Sequence, residues 1–346
     1  MTTTAPVSPI EALLREALTG LTASPQKTLP PWLFYDARGS QLFEQITDLP
    51  EYYLTRTERA LFAAHGDDIF REFLSPRASG ERSFPAGAAV TIAELGAGNA
   101  SKTGLLLHAA TRLQPEVLYQ PIDVSPTALA QAAATLTATI PGLTVQPQLA
   151  NYITEPYTLQ RPASLEQGGR HRILALYIGS SIGNFSPAEA KSILSRLRSH
   201  LEPGDALLLG ADLAPGEHKS IATLLAAYDD AAGVTAAFNK NILARLNREL
   251  DADFHLDAFA HRARWNAADS RIEMHLESLL PQTIRIPTDG QARRIDFAQG
   301  ETIHTENSYK FTAAALNALL TGSGFEVTRT FHDPAGSFAV TLAHAI

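Results

Sequence analysis

The stretch that decides the fold is AVTIAELGAGNASK, residues 89–102. An apolar, strand-like run leads into a turn that contains Gly96 and Gly98, and a helical pattern follows the turn. Glycines at a strand-to-helix turn let backbone N–H groups approach a ligand where a side chain would collide. The stretch therefore predicts a ligand-binding turn at the carboxyl end of a strand, although an ordinary tight turn would have the same sequence.

Apolar segments of this kind alternate with helical patterns through the middle of the chain. In order they are AVTIAELG, VLYQPIDV, LTVQPQLA, RILALYIGSS and DALLLGAD. Near-continuous apolar strands separated by helices are typical of a parallel sheet covered on both faces. The chain then ends in FEVTRTFHD and SFAVTLAHA around a DPAG turn, which predicts a hairpin. The expected fold class is α/β, with one antiparallel strand in an otherwise parallel sheet.

Composition limits the classes of function. The chain has 346 residues, of which 45% are hydrophobic and 18% charged, so it is long enough for two domains or one domain with an insertion. A net charge of -8 argues against nucleic acid as a partner. With no cysteine there is no disulfide, thiolate zinc site or cysteine nucleophile. Neither a signal peptide nor an apolar run of membrane-spanning length is present, so a cytoplasmic protein without a membrane partner is expected.

Proline, glycine and polar residues mark the ends of the other predicted elements. Helices are expected at Ile10–Leu21 and Ser40–Ile46, and exposed connections at Ser75–Gly87 and Glu155–Arg170. From Pro215 to about Thr305 the pattern turns helical and then mixed, which indicates an insertion after the fifth strand of the sheet.

Two polar residues follow strands of the expected sheet. Asp123 ends the second strand, where a carboxylate can accept hydrogen bonds from ribose hydroxyls. Asn184 follows the fourth strand, at the edge where an acceptor would meet a transferred group. The turn lacks the third glycine of a dinucleotide fingerprint, so S-adenosylmethionine is favoured over NAD. Asp123 as a turn residue and Asn184 as the cap of a helix beginning at Ser186 remain alternatives.

Five longer motifs make the resemblance specific. The chain resembles the histidine-specific S-adenosylmethionine-dependent methyltransferases of ergothioneine biosynthesis over nearly its whole length. The motifs that carry the resemblance are LPPWLFYDARGSQLFEQITDLPEYYLTRTE (Leu29–Glu58), ELGAGNASKT, GSSIGNF, AAYDDAAGVTAAFN and TENSYKF.

The resemblance implies a seven-stranded, Rossmann-like class I methyltransferase sheet with an antiparallel last strand, plus a smaller mixed α/β substrate domain. Residues 63–214 and 306–346 would form the methyltransferase core, and residues 1–62 and 215–305 the substrate domain. The implied reaction is three methyl transfers to the α-amino nitrogen of L-histidine, giving hercynine. A monomer is expected, without a metal.

The resemblance also implies site residues, position by position. Cofactor positions are matched by Tyr35, Gly96, Lys102, Asp123, Asn151 and Tyr152. The positions that bind the substrate histidine in the family are matched by Tyr52, Asn184, Tyr228, Thr235, Met274, Glu306 and Ser308. By residue type alone, each tyrosine is more often a core residue than a ligand, and Glu306 would be a solvated loop residue. One departure is visible, because Asn151-Tyr152 stands where the family usually has Asp-Phe. An Asn carbonyl oxygen can accept a bond from the adenine amino group, with a loss of about 1 kcal/mol for the missing charge.

The chemistry of the residue types agrees with this assignment. A carboxylate and a hydroxyl, Glu306 and Ser308, can bond the two nitrogens of an imidazole, and such a site rejects apolar analogues by as much as ~10⁴-fold. Methyl transfer needs alignment rather than a nucleophilic side chain, so no dedicated catalytic base is expected. The aromatic rings of Tyr35, Phe43, Tyr52 and Tyr53 can face the quaternary product through cation–π attraction.

Three other functions remain open. The chain could be a related N-methyltransferase acting on another amino acid or an indole-derived amine. It could also bind S-adenosylmethionine without turnover, or be a nicotinamide-dependent dehydrogenase.

Overall fold

A computed structural model describes residues 9–75, 89–161, 171–288 and 290–346. The helices are α1 (Pro9–Leu21), α2 (Ala37–Thr47), α3 (Tyr53–Leu74), α4 (Thr103–Leu113), α5 (Pro126–Thr139), α6 (Pro187–Ser199), α7 (Ile221–Tyr228), α8 (Val234–Leu250) and α9 (Ala313–Gly322). Short 3₁₀ turns cover Pro31–Phe34, Ser181–Asn184 and Leu256–Ala258.

The strands run through both halves of the chain. They are β1 (Lys27–Thr28), β2 (Ala89–Leu95), β3 (Val117–Asp123), β4 (Leu143–Val145), β5 (Gln148–Leu149), β6 (His171–Tyr177), β7 (Ala206–Asp212), β8 (Phe259–Asn266), β9 (Arg271–Ser278), β10 (Gln282–Ile286), β11 (Arg293–Phe297), β12 (Thr302–Tyr309), β13 (Phe325–His332) and β14 (Phe338–Ala345).

The chain folds into two compact units. The small unit contains the described residues up to Tyr53 together with Ser220–Tyr309, and the large unit contains those of Leu54–Lys219 and Lys310–Ile346. These limits differ from the predicted ones at 62/63, 214/215 and 305/306. Two of the three differences follow from single elements, because α3 begins at Tyr53 and β12 extends to Tyr309.

The large unit is built on one mixed sheet. Its strand order is β13-β14-β7-β6-β2-β3-β4, with β5 also paired to β3. Strands β7, β6, β2, β3, β4 and β5 are parallel. The last strand, β14, is antiparallel to both of its neighbours, as the terminal hairpin in the sequence predicts. The α/β class with a mixed sheet is therefore confirmed.

The sheet has eight strand segments where seven were expected, and the difference arises at one proline. Val117 pairs with Leu143 in β4 and Ile122 pairs with Gln148 in β5, so both segments keep the same register against β3. Pro147 lies between them and has no N–H group to donate to the ladder. One strand is thus interrupted in the middle.

Close packing characterises the core of the large unit. On one side of the sheet, Tyr177 of β6 packs in a fully buried cluster with Leu194 of α6 and Leu320 of α9. Elsewhere, Gly210 of β7 lies against the Glu58 carboxylate. A Cβ atom at this position would come within 2.0 Å of Oε1 of Glu58. Only glycine leaves room for that carboxylate.

The small unit combines a four-stranded sheet with helices. The sheet order is β1-β12-β9-β8, and β10 and β11 form a separate antiparallel pair. Helices α7 and α8 pack on β8 and β9. In α2, the carboxylate of Asp36 caps the helix by accepting the N–H of Gly39 at 2.6 Å.

The helices expected at the start of the chain are present. The predicted helices Ile10–Leu21 and Ser40–Ile46 correspond to α1 and α2. Of the two predicted connections, residues 76–87 and 162–170 lie outside the described residues. Among the described residues, no helix combines the length and apolar character needed to cross a membrane.

A buried carboxylate joins three elements next to the glycine turn. Glu94 of β2 is 2% exposed and accepts hydrogen bonds from the hydroxyl groups of Tyr119 on β3, at 2.5 Å, and Thr103 on α4, at 2.8 Å. Burial raises the pKa of Glu94 to about 7, although these two hydrogen bonds and the charge of Lys102 oppose the rise. The folded protein therefore holds the Glu94 proton more tightly than the unfolded chain does.

This pKa predicts how stability depends on pH. The contribution of Glu94 is fully present below its unfolded pKa of 4.5 and is lost as the pH rises through about 7. Relative to Glu94→Gln, wild type should lose up to about 3 kcal/mol of unfolding free energy between about pH 5 and pH 8. Urea denaturation of both proteins at the two pH values measures this. A difference between the two proteins that does not change with pH would contradict it.

Candidate active site

The glycine turn after β2 leaves space at the edge of the large sheet. Gly96 and Gly98 have φ of +70° and +53°, a region that favours glycine. A Cβ atom on Gly98 would have no atom within 4 Å, whereas one on Gly96 would touch the ring of Tyr152 at 3.4 Å. The turn is therefore open at Gly98 and covered by an aromatic ring at Gly96.

Asp123 links the turns that follow β2 and β3. Its Oδ2 accepts the N–H of Gly98 at 2.9 Å, and its Oδ1 accepts the N–H of Ser125 at 2.9 Å. Ser125 itself caps α5, so Asp123 is not the helix cap. Each carboxylate oxygen has a second lone pair, so Asp123 can accept further bonds from a ligand's hydroxyl groups while it holds both turns.

Lys102, at the start of α4, forms an ion pair with a residue that the site prediction missed. Its Nζ bonds the carboxylate of Glu58 on α3, and the N–H of Gly179 donates to the same carboxylate at 2.8 Å. Glu58 is completely buried. A buried carboxylate without such partners would be strongly unfavourable, so Glu58 fixes where the lysine ammonium lies. Glu58 is the last residue of the quoted motif Leu29–Glu58, but nothing in the pattern showed its partner.

Asn151 has a local role as well as a predicted one. Its Oδ1 accepts the N–H of Ile153 at 3.0 Å and that of Thr154 at 3.4 Å, while its own N–H donates to Glu155 at 2.8 Å. A carbonyl oxygen has two lone pairs, and both face N–H groups of this turn. A ligand would have to share or displace one of these turn bonds.

Asn184 follows β6, at the end of the 3₁₀ turn Ser181–Asn184. The alternative in which it caps the next helix is wrong. Ser186 is the cap of α6, and it forms a reciprocal capping box with Glu189. The helix therefore does not require the Asn184 carboxamide. Ser180, just before the turn, has φ of +59°, and its side chain accepts no N–H from the turn; its Oγ instead accepts the N–H of Asp212 at 2.9 Å.

In the small unit, three of the residues predicted to bind the substrate histidine form a connected group. The hydroxyl groups of Tyr228 and Ser308 lie 2.7 Å apart in a buried hydrogen bond. The ring of Tyr52 packs edge-on against that of Tyr228, with 6.2 Å between centroids. Residues from the ends of α7 and β12 and from the segment before α3 are thus brought together.

Aromatic contacts extend this cluster to Tyr35. Phe43 lies 6.5 Å from Tyr52 and 5.9 Å from Tyr35, measured between ring centroids. Tyr35 is 39% exposed. A continuous series of rings therefore leads from Tyr35 to Tyr228, and it includes three of the four residues expected to face a cation.

A β-bulge positions Glu306 and Ser308. Strand β12 pairs with β9 as His304 with His275, and then, after a register shift, as Glu306 with Met274 and Ser308 with Ile272. Directly opposite residues of an antiparallel pair lie on the same face of the sheet. The extra residue therefore places Glu306 and Ser308 on the face of Met274, where Ser308 meets Tyr228.

Thr235 lies in the first turn of α8, whose start is held by a carboxylate. Asp230 accepts the N–H groups of Val234 at 2.9 Å and Thr235 at 2.7 Å. Burial would raise the pKa of Asp230, but hydrogen bonds from Thr235 and Val234 outweigh it and lower the pKa. Gly233, with φ of +75°, makes the turn between the carboxylate and the helix.

One group of side chains has the composition of a metal site. Within the described part of the chain, the ligand atoms of Glu273, His275 and His304 lie within 4.8 Å of one another. However, Arg271 contacts Glu273 at 2.7 Å, and its positive charge opposes a bound cation. Glu273 and His275 also alternate with Met274 along β9 and therefore face away from it.

The two units do not separate the residues predicted to bind the cofactor from those predicted to bind histidine. Tyr35, assigned to the cofactor, lies in the small unit with most of the residues assigned to histidine binding. Asn184, assigned to histidine, lies in the large unit with Gly96, Lys102 and Asp123.

Comparison with known proteins shows which family the sequence matches. The family described as "Histidine-specific methyltransferase, SAM-dependent" matches residues 13–345. A histidine N-alpha-methyltransferase of Mycolicibacterium smegmatis is 42% identical over 97% of this chain and 96% of its own, and one of Mycobacterium tuberculosis is 40% identical over 96% and 94%. The ergothioneine biosynthesis protein 1 of Schizosaccharomyces pombe is 34% identical over 63% of this chain and 26% of its own.

The family match spans nearly the whole chain and includes both units. It also includes the glycine turn, the Tyr228–Ser308 pair and the bulged strand. The chain therefore belongs to the histidine-specific, S-adenosylmethionine-dependent methyltransferases.

Proposed function

We propose that this protein transfers three methyl groups in succession from S-adenosylmethionine to the α-amino nitrogen of L-histidine. The product would be hercynine, and the reaction the first step of ergothioneine biosynthesis. The observation that best supports histidine as substrate is the buried Tyr228–Ser308 hydrogen bond beside the bulge that turns Glu306 toward Met274.

The residues of β12 suit an imidazole. Glu306 is a carboxylate and can accept the ring N–H, while the Ser308 hydroxyl can donate to the other ring nitrogen. A hydroxyl can accept one hydrogen bond while donating another, so the bond between Ser308 and Tyr228 is compatible with this role. An indole has a single N–H and no acceptor nitrogen, and it would leave one of these polar groups without a bond.

The large unit supplies groups that fit the cofactor. The opening at Gly98 suits a close backbone approach, and Asp123 at its edge suits ribose hydroxyls. Lys102, held by Glu58, is suited to a carboxylate, and Tyr152 presents a ring beside Gly96. When bound, S-adenosylmethionine supplies an electrophilic sulfonium methyl group. Gly96, Lys102, Asp123, Asn151 and Tyr152 would hold it, together with Tyr35.

The remaining residues would orient the amine rather than transfer protons. Tyr52, Tyr228 and Asn184 offer hydroxyl and amide groups for the amino and carboxylate groups of the substrate. The substrate amine loses its proton to solvent before it reacts, since α-amino groups titrate near pH 8. The rings of Phe43, Tyr52 and Tyr35 are suited to a nitrogen that gains positive charge as methyl groups accumulate. We take the enzyme to be a cytoplasmic monomer.

Product analysis tests the proposed reaction. Purified protein incubated with S-adenosylmethionine and L-histidine should give mono-, di- and trimethylated histidine in sequence, as seen by mass spectrometry. A parallel incubation with L-tryptophan should give little product, because the indole cannot satisfy both Glu306 and Ser308. Preferential methylation of tryptophan would favour the related indole-amine methyltransferase. Cofactor binding without any methylated product would favour a non-catalytic binding protein.

Two substitutions separate the proposed sites. Glu306→Ala should raise the KM for histidine by about 10- to 100-fold, because it removes a charge-assisted hydrogen bond, and should leave the Kd for S-adenosylmethionine nearly unchanged. Asp123→Ala should do the reverse. Steady-state kinetics and calorimetry measure the two constants.

Glu306→Gln and Asp123→Asn are the matched controls, since each keeps the side-chain shape and one acceptor oxygen. Each should have a smaller effect than the corresponding alanine variant. If both alanine substitutions weakened only the binding of S-adenosylmethionine, the assignment of Glu306 to the histidine pocket would be wrong.

A further inference from the structure

A buried carboxamide lies among the strands of the small unit. Asn239 on α8 has no exposed surface. Its Nδ2 donates to Nδ1 of His261 at 2.8 Å and to the backbone oxygen of His275 at 3.1 Å. Its Oδ1 accepts the hydroxyl of Thr305 at 2.7 Å. One side chain thus joins α8 to strands β8, β9 and β12.

Two backbone oxygens determine where the hydrogens of this network lie. The oxygen of His275 can only accept, so it must face Nδ2 of Asn239 rather than Oδ1. The backbone oxygen of Tyr228 lies 2.8 Å from Nε2 of His261 and can also only accept, so this Nε2 carries a hydrogen. Burial lowers the pKa of His261 and favours the neutral ring, which leaves Nδ1 to accept from Asn239. Each bond of the network therefore has one donor and one acceptor.

The arms of the network end at proposed histidine-binding residues. The His261 arm ends at the backbone of Tyr228, at the end of α7. On the other side, the hydroxyl of Thr305 is also 3.0 Å from the backbone oxygen of Met274. Thr305 is the bulged residue, and it directly precedes Glu306. The single hydrogen of the Thr305 hydroxyl is given to Asn239, so Met274 is held through the bond from Asn239 to the backbone oxygen of its neighbour His275. The positions of Tyr228, Met274 and Glu306 are therefore tied to one another through Asn239.

A fourth proposed residue lies on the same helix. Thr235 precedes Asn239 by four residues on α8, so the two side chains lie on the same helical face. Neither Asn239 nor His261 was among the residues predicted from the sequence, although Asn239 is the last residue of the motif AAYDDAAGVTAAFN.

From this arrangement we infer that Asn239 is the positioning residue of the histidine pocket, and that it sets the spacing between Tyr228, Met274 and Glu306. The inference rests on the proposed function, because it takes these three as histidine-binding residues. Asn239 acts through His261 and Thr305 and does not touch the substrate. Its loss would remove the hydrogen bonds that His261 Nδ1 and the backbone oxygen of His275 receive, and the Thr305 hydroxyl would turn to the Met274 oxygen, so both arms would shift or admit water.

The same helix provides a matched control. Asn247 on α8 donates from Nδ2 to the backbone oxygen of Phe254 at 2.8 Å, and its Oδ1 accepts the N–H of Phe254 at 2.9 Å. Its carboxamide therefore closes the chain after α8, and among the described residues it makes no hydrogen bond to β8, β9 or β12. Asn239→Leu and Asn247→Leu make the same chemical change on one helix, but only the first breaks the proposed network.

Kinetics of the full-length protein test the inference. Asn239→Leu should raise the KM for histidine at least about tenfold while kcat falls by a smaller factor, as the loss of pocket geometry requires. The Kd for S-adenosylmethionine should stay within about twofold of wild type, since Asn239 bonds His261, His275 and Thr305, and none of these is assigned to the cofactor. Asn247→Leu should leave both constants within about twofold. Thr305→Val removes one arm only, and it should give an intermediate rise in KM even if Asn239→Leu does not fold.

The outcomes separate this inference from the proposed function. If wild type does not methylate histidine, the proposed function fails. If wild type does so and a folded Asn239→Leu or Thr305→Val keeps the wild-type KM, only the role of Asn239 fails. An equal rise in KM in Asn247→Leu would also overturn that role, since it would point to general destabilisation of α8. A ¹⁵N spectrum of wild type that shows His261 protonated at Nδ1 instead of Nε2 would contradict the network itself.

Discussion

One extra residue in β12 determines which side chains of that strand face the helices of the small unit. Without the bulge at Thr305, Glu306 would pair with Glu273, and two carboxylates would lie directly opposite each other, which is unfavourable. The bulge instead pairs Glu306 with Met274 and brings Ser308 to Tyr228. The hydroxyl of Thr305 holds the irregular residue in place through Asn239. Recognition of an imidazole in the proposed mechanism depends on this local change of register.

Buried polar groups that are paired with one another occur in both candidate sites. In the large unit, Glu58 holds Lys102, and Asp123 holds the glycine turn through Gly98. Such pairs contribute little net stability, because desolvation offsets much of the attraction. What they do provide is a fixed position for each charge. Enzymes that transfer a group by alignment need this, since a small displacement of the reacting atoms slows the reaction strongly.

Much of the fold was predictable because it depends on local patterns. Apolar runs separated by helices predict the parallel strands, and the DPAG turn predicts the antiparallel last strand. The interruption at Pro147 was not predicted, because LTVQPQLA was treated as one strand although Gln146, Pro147 and Gln148 separate its apolar residues. The family motifs place individual residues such as Tyr228 and Ser308, whose contact in the structure agrees with the proposed pocket. Glu58, Asn239 and His261 were missed because their roles depend on partners far along the chain, and a buried polar residue has no periodicity that reveals its partner.

In the proposed complex, both ring nitrogens of histidine form hydrogen bonds with the protein, one with Glu306 and one with Ser308. Calorimetry with L-histidine and with its two ring-N-methyl derivatives, in the presence of S-adenosylhomocysteine, tests this most directly. Each methyl group replaces a hydrogen or blocks a lone pair at one nitrogen, so both derivatives should bind at least about tenfold more weakly than histidine. Binding of either derivative as tightly as histidine itself would contradict the account.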